Sequence, residues 1–559
     1  MLKVETFKNF GGFGTGGQPG EYFYSQGMNK SQFGVVSGWK VAKVKDNADS
    51  GMSSLSLINF FTQGNFGSTN YVYGFDASGN LYRSTLGLGN WSLERTVNSV
   101  SSHGNGLLFD QKNRLLYRND RYLGMTSDGS SFTDNWKDLG ASYSTTDLCQ
   151  MDNYEDWVVI ANLNAVAVLN VTDDSLNNVA LNLPAGYKVR CVRAGRTGIL
   201  IGLNFNNKGA VLLWEPNYTR SIAPWVWFNA NIKAIIPSDE GWIVITSRGI
   251  YLTNGYTRTD ILETLPDTRK NSGSILNNLL PQGAETVEQY LAFWGGGSFN
   301  RNKAGLWLLD LNTKLFEFAP ASNDVTYNVT GGAIFFDNNF TTHLSFTTNT
   351  PSKKIIGKLN NINPSHALLI TEPLGQGGST KVAEGVKLSF GLDTKQYETP
   401  VLTFDVSVKI ANLTRNIWNY AQTRAASASA NILKIDGTLF SYHARVGDEV
   451  TVLEGVNAGQ VRHILSVANA GLNTEEWTLD SALPSNTEIN VYLSIAPFKL
   501  VKKYSFNNIS ELKELYFDVQ NRIKGKKFLV EILLENLQSN LELELYEGQL
   551  IYDELSLKR

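Results

Sequence analysis

The chain has 559 residues, of which 42% are hydrophobic, 11% aromatic and only 18% charged, and its formal net charge is −3. A chain of this length exceeds what one hydrophobic core usually serves, so two or more domains are expected. Because the net charge is small, no electrostatic attraction of the whole chain to nucleic acid or to an anionic membrane is expected. Low charge combined with 50 glycines and many aromatic residues favours an all-β protein whose strands are joined by Gly, Asn and Asp turns.

Residues 1–45 are predicted to form a Gly-rich N-terminal arm. Residues 10–20 read FGGFGTGGQPG, and glycine at this density cannot hold a regular element alone. A phosphate loop would end in Lys followed by Ser or Thr, whereas this segment ends in Gln-Pro-Gly, so nucleotide binding is not expected. The arm is expected to pack on a neighbouring protein or across the following domain through six aromatic residues: Phe7, Phe10, Phe13, Tyr22, Phe23 and Tyr24.

Residues 46–360 repeat a pattern of short apolar strands separated by turns rich in Asp, Asn and Gly. Two copies are residues 73–82 (YGFDASGNLY) and 107–117 (LLFDQKNRLLY), further copies follow them, and a weaker seventh copy lies at residues 332–337. The copies recur at intervals of about 40 to 50 residues, which is the period of a β-propeller blade. The pattern predicts one closed propeller of seven blades, or of six because the last copy is weak.

Longer alternating strands begin near residue 361 and predict a second domain. Residues 541–546 read LELELY, which places Leu on one face and Glu on the other, as in a half-buried antiparallel strand. Residues 386–392 and 401–408, and residues 528–534 near the C-terminus, show similar apolar runs. These segments predict a β-sandwich built from residues 361–424 and 496–559.

Residues 425–495 are predicted to be a small acidic β-module inserted into that sandwich. Between residues 431 and 495 there are eight carboxylates and three basic residues. A module of this charge is expected to project and to make a polar contact that weakens with salt if its partner is basic. Its candidate contact residues are Glu449, Glu454, Glu475 and Glu476.

The best candidate for catalysis is residues 126–132 (TSDGSSF), which resemble the Asp box of sialidase-type propellers. The Asp box is a structural turn in which Asp caps backbone donors, and a sialidase-like site would also need an arginine cluster and a Tyr/Glu pair. The sequence does not bring together its candidate arginines: Arg193, Arg196, Arg248 and Arg258. A turn without catalysis is therefore expected.

One aromatic cluster is dense enough to suggest a contact surface. Residues 225–228 read WVWF, with Trp225 and Trp227, and directly follow Pro224. A protein contact and a buried position between blades both fit this pattern.

No metal or cofactor is expected. The five histidines are scattered, and no pair of them has metal-ligand spacing. The turns that begin at Asp310 and Asp337 lack the closing Glu of a calcium loop, so turn capping is expected there. Cys149 and Cys191 are expected to be buried thiols, with one disulfide between neighbouring blades as the alternative.

The order of parts resembles that of β-propeller structural proteins of tailed bacteriophages. The resemblance lies in the Gly-rich opening at residues 10–14, a propeller without WD or kelch signatures, and the closing segments 525–532 (GKKFLVEI) and 545–552 (LYEGQLIY). It implies a non-enzymatic virion protein of the tail or neck that contacts tail or capsid proteins and further copies of itself.

Two hypotheses of different class follow from the sequence. The first is the virion structural protein, made in the host cytoplasm and carried in the particle, since the sequence shows no apolar leader and no membrane-spanning run. The second is a glycan-binding or glycan-cleaving propeller that recognises a host surface. The first hypothesis predicts assembly contacts, and the second predicts an axial pocket lined by Arg, carboxylates and exposed aromatic residues.

Overall fold

The chain is all-β. The computed structural model describes residues 2–8, 22–26, 38–86, 89–97, 104–140, 148–262, 276, 279–287, 289–295, 305–312, 316–319, 330–349, 352–362, 367–371, 374–375, 379–392, 403–413, 425–429, 431–435, 444–452, 457, 460–469, 475–485, 493–496, 499–507, 513–537 and 543–554. These residues form strands, turns and irregular connections without any helix. It follows that none of them belongs to a helix able to cross a membrane. The all-β prediction is confirmed.

The described strands are short in the first two thirds of the chain and longer toward its end. Those before residue 110 are β1 (Leu2–Lys8), β2 (Tyr22–Gln26), β3 (Gly38–Asp46), β4 (Ile58–Phe66), β5 (Thr69–Asp76), β6 (Asn80–Thr85), β7 (Ser92–Thr96) and β8 (Gly104–Phe109). Those up to residue 214 are β9 (Leu115–Asn119), β10 (Tyr122–Thr126), β11 (Thr133–Asp138), β12 (Met151–Tyr154), β13 (Trp157–Asn162), β14 (Ala165–Asn170), β15 (Leu176–Asn182), β16 (Lys188–Gly195), β17 (Gly198–Phe205) and β18 (Lys208–Trp214).

The strands continue through residue 362 as β19 (Val226–Phe228), β20 (Ile232–Ser238), β21 (Gly241–Thr246), β22 (Ile250–Thr253), β23 (Arg258–Leu262), β24 (Ala284–Val287), β25 (Tyr290–Gly295), β26 (Gly305–Asp310), β27 (Phe316–Ala319), β28 (Thr330–Phe336), β29 (Thr342–Asn349) and β30 (Ser352–Ile362). The remaining strands are β31 (Ala367–Thr371), β32 (Lys381–Leu392), β33 (Thr403–Leu413), β34 (Ala425–Ser429), β35 (Ile432–Ile435), β36 (Glu449–Val452), β37 (Val461–Ala468), β38 (Glu475–Leu479), β39 (Leu493–Ala496), β40 (Lys499–Asn507), β41 (Lys513–Gly525), β42 (Lys527–Glu535) and β43 (Leu543–Glu554).

Two compact units divide the chain. The central unit comprises Val41–Lys314 and Pro320–Leu359. The terminal unit comprises Met1–Lys40, Leu315–Ala319 and Asn360–Arg559. The terminal unit therefore draws on both ends of the chain.

Four-stranded sheets follow one another along the chain up to residue 362. Their strand orders are β4-β5-β6-β7, β11-β10-β9-β8, β12-β13-β14-β15, β16-β17-β18-β19, β20-β21-β22-β23, β24-β25-β26-β27 and β28-β29-β30-β3. The innermost strands contact one another in the chain order β4, β8, β12, β16, β20, β24 and β28, and β28 contacts β4 again. This succession of sheets is propeller-like, as the repeat pattern predicted.

Repeated aspartates fix the hairpin turns of these sheets. The carboxylate of Asp76 accepts hydrogen bonds from the backbone N–H groups two and four residues later, both at 2.9 Å. Asp110 and Asp337 bind their own turns in the same way, again at 2.9 Å. Asp and Asn favour turns because their short side chains bind the backbone locally. The Phe-Asp pairs of the sequence repeat therefore mark strand ends.

Apolar side chains fill the space between neighbouring sheets of the central unit. One buried cluster contains Leu116 from the second sheet, Val159 and Val166 from the third, and Ile201 and Trp214 from the fourth. Side chains on both faces of a strand become buried when sheets stack on either side, so these strands read as continuous apolar runs instead of alternating ones.

Two further sheets share one core in the terminal unit. Their strand orders are β1-β43-β32-β41 and β2-β31-β42-β33-β40. Val386 and Leu550 from the first sheet lie in the same buried cluster as Val408 and Ile532 from the second. A separate six-stranded sheet, β34-β35-β38-β37-β36-β39, is formed by strands between residues 425 and 496.

The N-terminal segment supplies strands to sheets that are otherwise built from later residues. Within the predicted arm of residues 1–45, β1 pairs with β43 and β2 pairs with β31, while β3 is the last strand of the β28-β29-β30 sheet. These parts of the arm are held by the chain itself. Of the arm's candidate contact residues, Phe10 and Phe13 lie outside the described residues, as do the side chains of Tyr22, Phe23 and Tyr24.

Candidate functional site

Four aromatic rings gather at one end of the fourth sheet, and we call them the aromatic quartet: Tyr187, Phe205, Trp225 and Trp227. Tyr187 and Phe205 are stacked, with ring centroids 4.7 Å apart and an interplanar angle of 18°. Tyr187 also lies 5.4 Å from Trp225 in an edge-to-face contact, and the two Trp rings are 5.8 Å apart. Trp227 is 49% exposed, so the quartet reaches the surface.

Strand alternation explains why the two tryptophans face away from the core. Val226 and Phe228 are buried in the cluster between the fourth and fifth sheets. Since successive side chains of a strand point to opposite faces, Trp225 and Trp227 lie on the other face of β19. Trp225 packs partly buried against the cluster of the second to fourth sheets. Trp227, opposite Ala210 in the strand pairing, stays half-exposed.

Two turns place the remaining rings of the quartet. Tyr187 follows a turn in which its N–H donates to the carbonyl of Pro184 at 3.3 Å. Gly186 in that turn has φ +90°, and a Cβ there would lie 2.9 Å from Cε2 of Phe205. Glycine is therefore required for the turn to approach the Phe205 ring. Phe205 closes β17 just before the hairpin to β18.

Arg258 holds the outer strand beside the quartet in place. Its Nη1 donates to the carbonyl of Trp227 at 2.7 Å. Its guanidinium also lies over the rings of Phe228 and Tyr251, at 5.0 and 5.2 Å from their centroids. The contacts of these aromatic residues are stacking, burial and backbone hydrogen bonding. Apolar contact and ring stacking are the properties that make Trp and Tyr frequent anchors of interfaces.

Phe7, a candidate arm contact, is instead a core residue. It is 2% exposed and belongs to the buried cluster of the terminal unit. Its ring lies against Gly548, where a Cβ would come within 2.0 Å of Cε2. Alternation along β1 turns Phe7 inward, so the ring is used within the chain and is not available to a neighbour.

Two of the acidic candidates are also internal. Glu449 is 8% exposed and lies 3.0 Å from the Nζ of Lys409, which is 3.2 Å from buried Glu531. Burial lowers the pKa of Lys409, but attraction to Glu531 and Glu449 outweighs it and raises that pKa, while burial raises the pKa of Glu531. Glu475 is 1% exposed and accepts a hydrogen bond of 2.6 Å from the indole N–H of Trp477.

The other two acidic candidates differ from these. Glu476 is partly exposed and pairs with Lys434 at 2.9 Å across neighbouring strands. Glu454 lies outside the described residues. Glu475 is thus satisfied within this sheet, Glu449 binds Lys409 of β33 in a different sheet, and Glu476 pairs with Lys434, so sequence composition overstated how much unpaired acidic surface these three candidates offer.

The Asp-box segment is a hydrogen-bonded turn between β10 and β11. Asp128 accepts from the backbone N–H groups of Ser131 at 2.7 Å and Ser130 at 2.8 Å, which hold its pKa below the usual range. Phe132 packs against a buried cluster of the first two sheets, with Arg95 over its ring at 5.2 Å. Asp128 is thus engaged in capping the turn.

The four candidate arginines lie in separate environments. Arg196 is 89% exposed at the tip of a hairpin, and the N–H of Arg248 donates to the hydroxyl of Thr246 at 3.1 Å. Arg258 is tied to Trp227 as described above. Arg193 lies on an inner strand, where its Nε donates to the carbonyl of Ile235 at 3.2 Å. They do not form a carboxylate-binding cluster.

A group of charges on the inner strands escaped sequence reasoning. Arg193 on β16 lies 3.8 Å from Asp152 on β12, whose Oδ2 accepts from the N–H of Ala194 at 2.9 Å. Glu285 on β24 interacts with both Arg193 and Asp152. Burial raises the pKa of Asp152 and of Glu285, against the opposing effect of Arg193. All three residues lie two positions before the last residue of their strands, a register that aligned repeats would have revealed.

No group of three or more His, Cys, Asp or Glu side chains suited to a metal ion occurs among the described residues. His343 on β29 instead contacts Asp337 of the preceding turn at 2.8 Å, and Asn312 donates its N–H to Asp310 at 2.8 Å within its own turn. Cys149 and Cys191 are free and buried, and burial raises the pKa of both thiols.

Comparison with known proteins assigns no family. No family model and no curated protein matches the chain. It is similar to the solved structure of YCF48 bound to D1 peptide, with 12% identity and a TM-score of 0.40 over 57% of this chain and 94% of that chain. It is also similar to the Neurospora crassa Pan2 WD40 domain, with 10% identity and a TM-score of 0.37 over 57% and 95% of the two chains.

Proposed function

We propose that the sheets of the central unit form a seven-bladed β-propeller and that the terminal unit is a β-sandwich with an inserted β-module. The propeller is supported by the chain-order contacts of the inner strands and by the return of β28 to β4. The seventh sheet takes β3 as its last strand, which joins the two ends of the repeat. The sandwich is supported by one buried cluster shared between two sheets. Closure of this kind removes free sheet edges and suits a chain of low charge.

We propose that this protein is a non-enzymatic structural component of a bacteriophage virion, of the tail or neck, and that it assembles through protein–protein contacts. The sequence resemblance supplies the virion context. The side chains that suggested catalysis have structural partners in the described residues: Asp128 caps a turn, and Arg258 ties down an outer strand. Such a chain is better suited to binding than to hydrolysis.

The observation that carries the proposal is the aromatic quartet. A half-exposed Trp backed by three packed rings is a rigid anchor, because the rings behind it restrict its rotamers before any partner binds. We propose that another virion protein covers Trp227 in the particle.

The first test is to purify tailed phage particles from a host that carries this gene and to search them for the chain by mass spectrometry and immunogold labelling. The second is to compare incorporation of Trp227→Ala with that of the matched control Tyr256→Ala, whose ring is 53% exposed on another hairpin. Both variants should keep the wild-type melting temperature. Incorporation should fall at least tenfold for Trp227→Ala alone. A chain absent from particles contradicts the virion role, and normal incorporation of Trp227→Ala contradicts the quartet as the contact.

The same variants separate the glycan hypothesis from the assembly role. Binding of the purified chain to host surface polysaccharide that is lost in Trp227→Ala, without any effect on incorporation, would favour a receptor-binding propeller. Release of sugar that is lost in Asp128→Asn would contradict the non-enzymatic proposal.

A further inference from the structure

Strand β1 is the edge of a four-stranded sheet and exposes apolar side chains. Its order in the sheet is β1-β43-β32-β41, and among the described residues it pairs on one side only, with β43. Leu2 is 65% exposed and Val4 is 56% exposed. Edge strands present unpaired N–H and C=O groups and are natural sites for pairing with another chain.

The exposed apolar side chains continue across the outer face of the sheet. Val4 lies opposite Ile551 on β43, which in turn lies opposite Gly385 on β32. The ring of Tyr516 on β41 covers Gly385, where a Cβ would come within 2.4 Å of the phenol oxygen. Tyr516 is itself 48% exposed. The sheet thus presents an apolar row that starts at β1, its edge strand among the described residues.

The two faces of β1 are chemically different. Lys3 and Glu5 lie on the same face as buried Phe7, whereas Leu2, Val4 and Thr6 lie on the outer face. Lys3 forms an ion pair with Glu554, which raises the pKa of Lys3 and keeps it charged. Glu5 accepts a hydrogen bond of 2.5 Å from the N–H of Gly375. Both charges are thereby held near the edge of the strand.

We propose that β1 pairs antiparallel with β1 of a second copy of this chain, about a two-fold axis through Val4. In this register Lys3 of each copy lies opposite Glu5 of the other, Val4 lies opposite Val4, and Leu2 lies opposite Thr6. Opposite charges across a strand pair stabilise it, and like charges destabilise it. A two-fold contact must be self-complementary, which this register satisfies.

The two nearest registers that keep the two outer faces on the same side are worse. A pairing centred on Glu5 places the two Glu5 carboxylates opposite each other, and one centred on Lys3 places two ammonium groups together. A shift by one residue would set the apolar face of one copy beside the charged face of the other. The charge pattern of β1 therefore favours a second copy over an unrelated strand. This inference rests on the assembly role proposed above and names one contact within it.

Cysteine cross-linking of the full-length chain in solution tests the register. Opposed residues of antiparallel strands have Cα atoms about 4.5–5.5 Å apart, within the range of about 4.4–6.8 Å that a disulfide spans. Val4→Cys should therefore give a disulfide-linked dimer under mild oxidation. Leu2→Cys is the matched control, since it lies on the same face but is offset from its counterpart by roughly 13 Å along the strand. The native cysteines, both fully buried, should not interfere.

Charge exchange provides a second readout by sedimentation equilibrium. Lys3→Glu should raise the dimer dissociation constant at least tenfold, and Lys3→Glu with Glu5→Lys should restore most of the loss. A monomer at all concentrations, or a disulfide-linked dimer formed by Leu2→Cys but not by Val4→Cys, overturns the pairing. The outcome is separable from the virion role: a solution dimer with no chain in particles contradicts only that role, and incorporation of a strictly monomeric chain contradicts only the β1 contact.

Discussion

Replacing Phe7 by Ala should unfold the terminal unit at markedly lower denaturant concentration. The ring is 2% exposed, lies in the shared core and fills the space above Gly548. Truncating a buried Phe to Ala costs about 3–5 kcal/mol, because transfer energy is lost and a cavity remains. Typical domains are stable by only about 5–15 kcal/mol, so this is a large fraction of the total.

The assay is urea denaturation followed by hydrogen exchange of peptides from β43 and, separately, of peptides from the central sheets. With a slope of about 2 kcal/mol per molar urea, the midpoint of the terminal unit should fall by about 1.5–2.5 M. The central unit should keep its midpoint. Val4→Ala, measured at a protein concentration too low for two copies to associate, is the matched control on the same strand, since Val4 is 56% exposed and should change stability by no more than about 0.5 kcal/mol. Equal midpoints for Phe7→Ala and Val4→Ala would refute the reasoning.

Three further predictions concern buried and capping charges. Lys409→Met should destabilise the terminal unit by about 3–5 kcal/mol in urea denaturation, since Glu531 and Glu449 lose their buried partner, and adding Glu531→Gln should recover part of the loss. Burial raises the pKa of Glu285, so the stability associated with its protonated form is present below about pH 4.5 and is lost as pH rises through the raised pKa. Glu285→Gln should therefore have the wild-type melting temperature at pH 4 and a higher melting temperature than wild type at pH 8. Asp128 has a lowered pKa, so Asp128→Asn should melt lower than wild type at pH 7, with the difference shrinking as pH falls below about 3.8.

The features that the sequence predicted are those controlled by residues close together in the chain. The Phe-Asp pairs at Asp76, Asp110 and Asp337 predicted hairpins because one carboxylate can satisfy two backbone donors of its own turn. Apolar runs predicted buried strands, and their period predicted a propeller-like order. These features depend on neighbours in the chain, so a single sequence contains them.

Features that depend on distant partners were not predictable in the same way. The dense aromatic residues at 225–228 suggested a contact surface, but Tyr187 and Phe205 come from separate turns, and only the fold brings the rings together. Glu475 reads as surface charge in the sequence, yet the indole of Trp477 satisfies it in the interior. Composition counts charges without showing which of them are already paired.

The N-terminal strands depend most strongly on partners that are distant in the sequence. Residues of β1, β2 and β3 pair with β43, β31 and β30, each separated from its partner by more than half of the chain. Loop closure over such lengths must occur before the contacts contribute, so these pairings should form late in folding. Until then both edges of β1 are unpaired, and afterwards one edge has no partner strand among the described residues. If β1 joins its sheet last, the exposed apolar side chains of β1 reach their final position only when the fold is complete. Contact with another copy through β1 would then follow folding of the terminal unit.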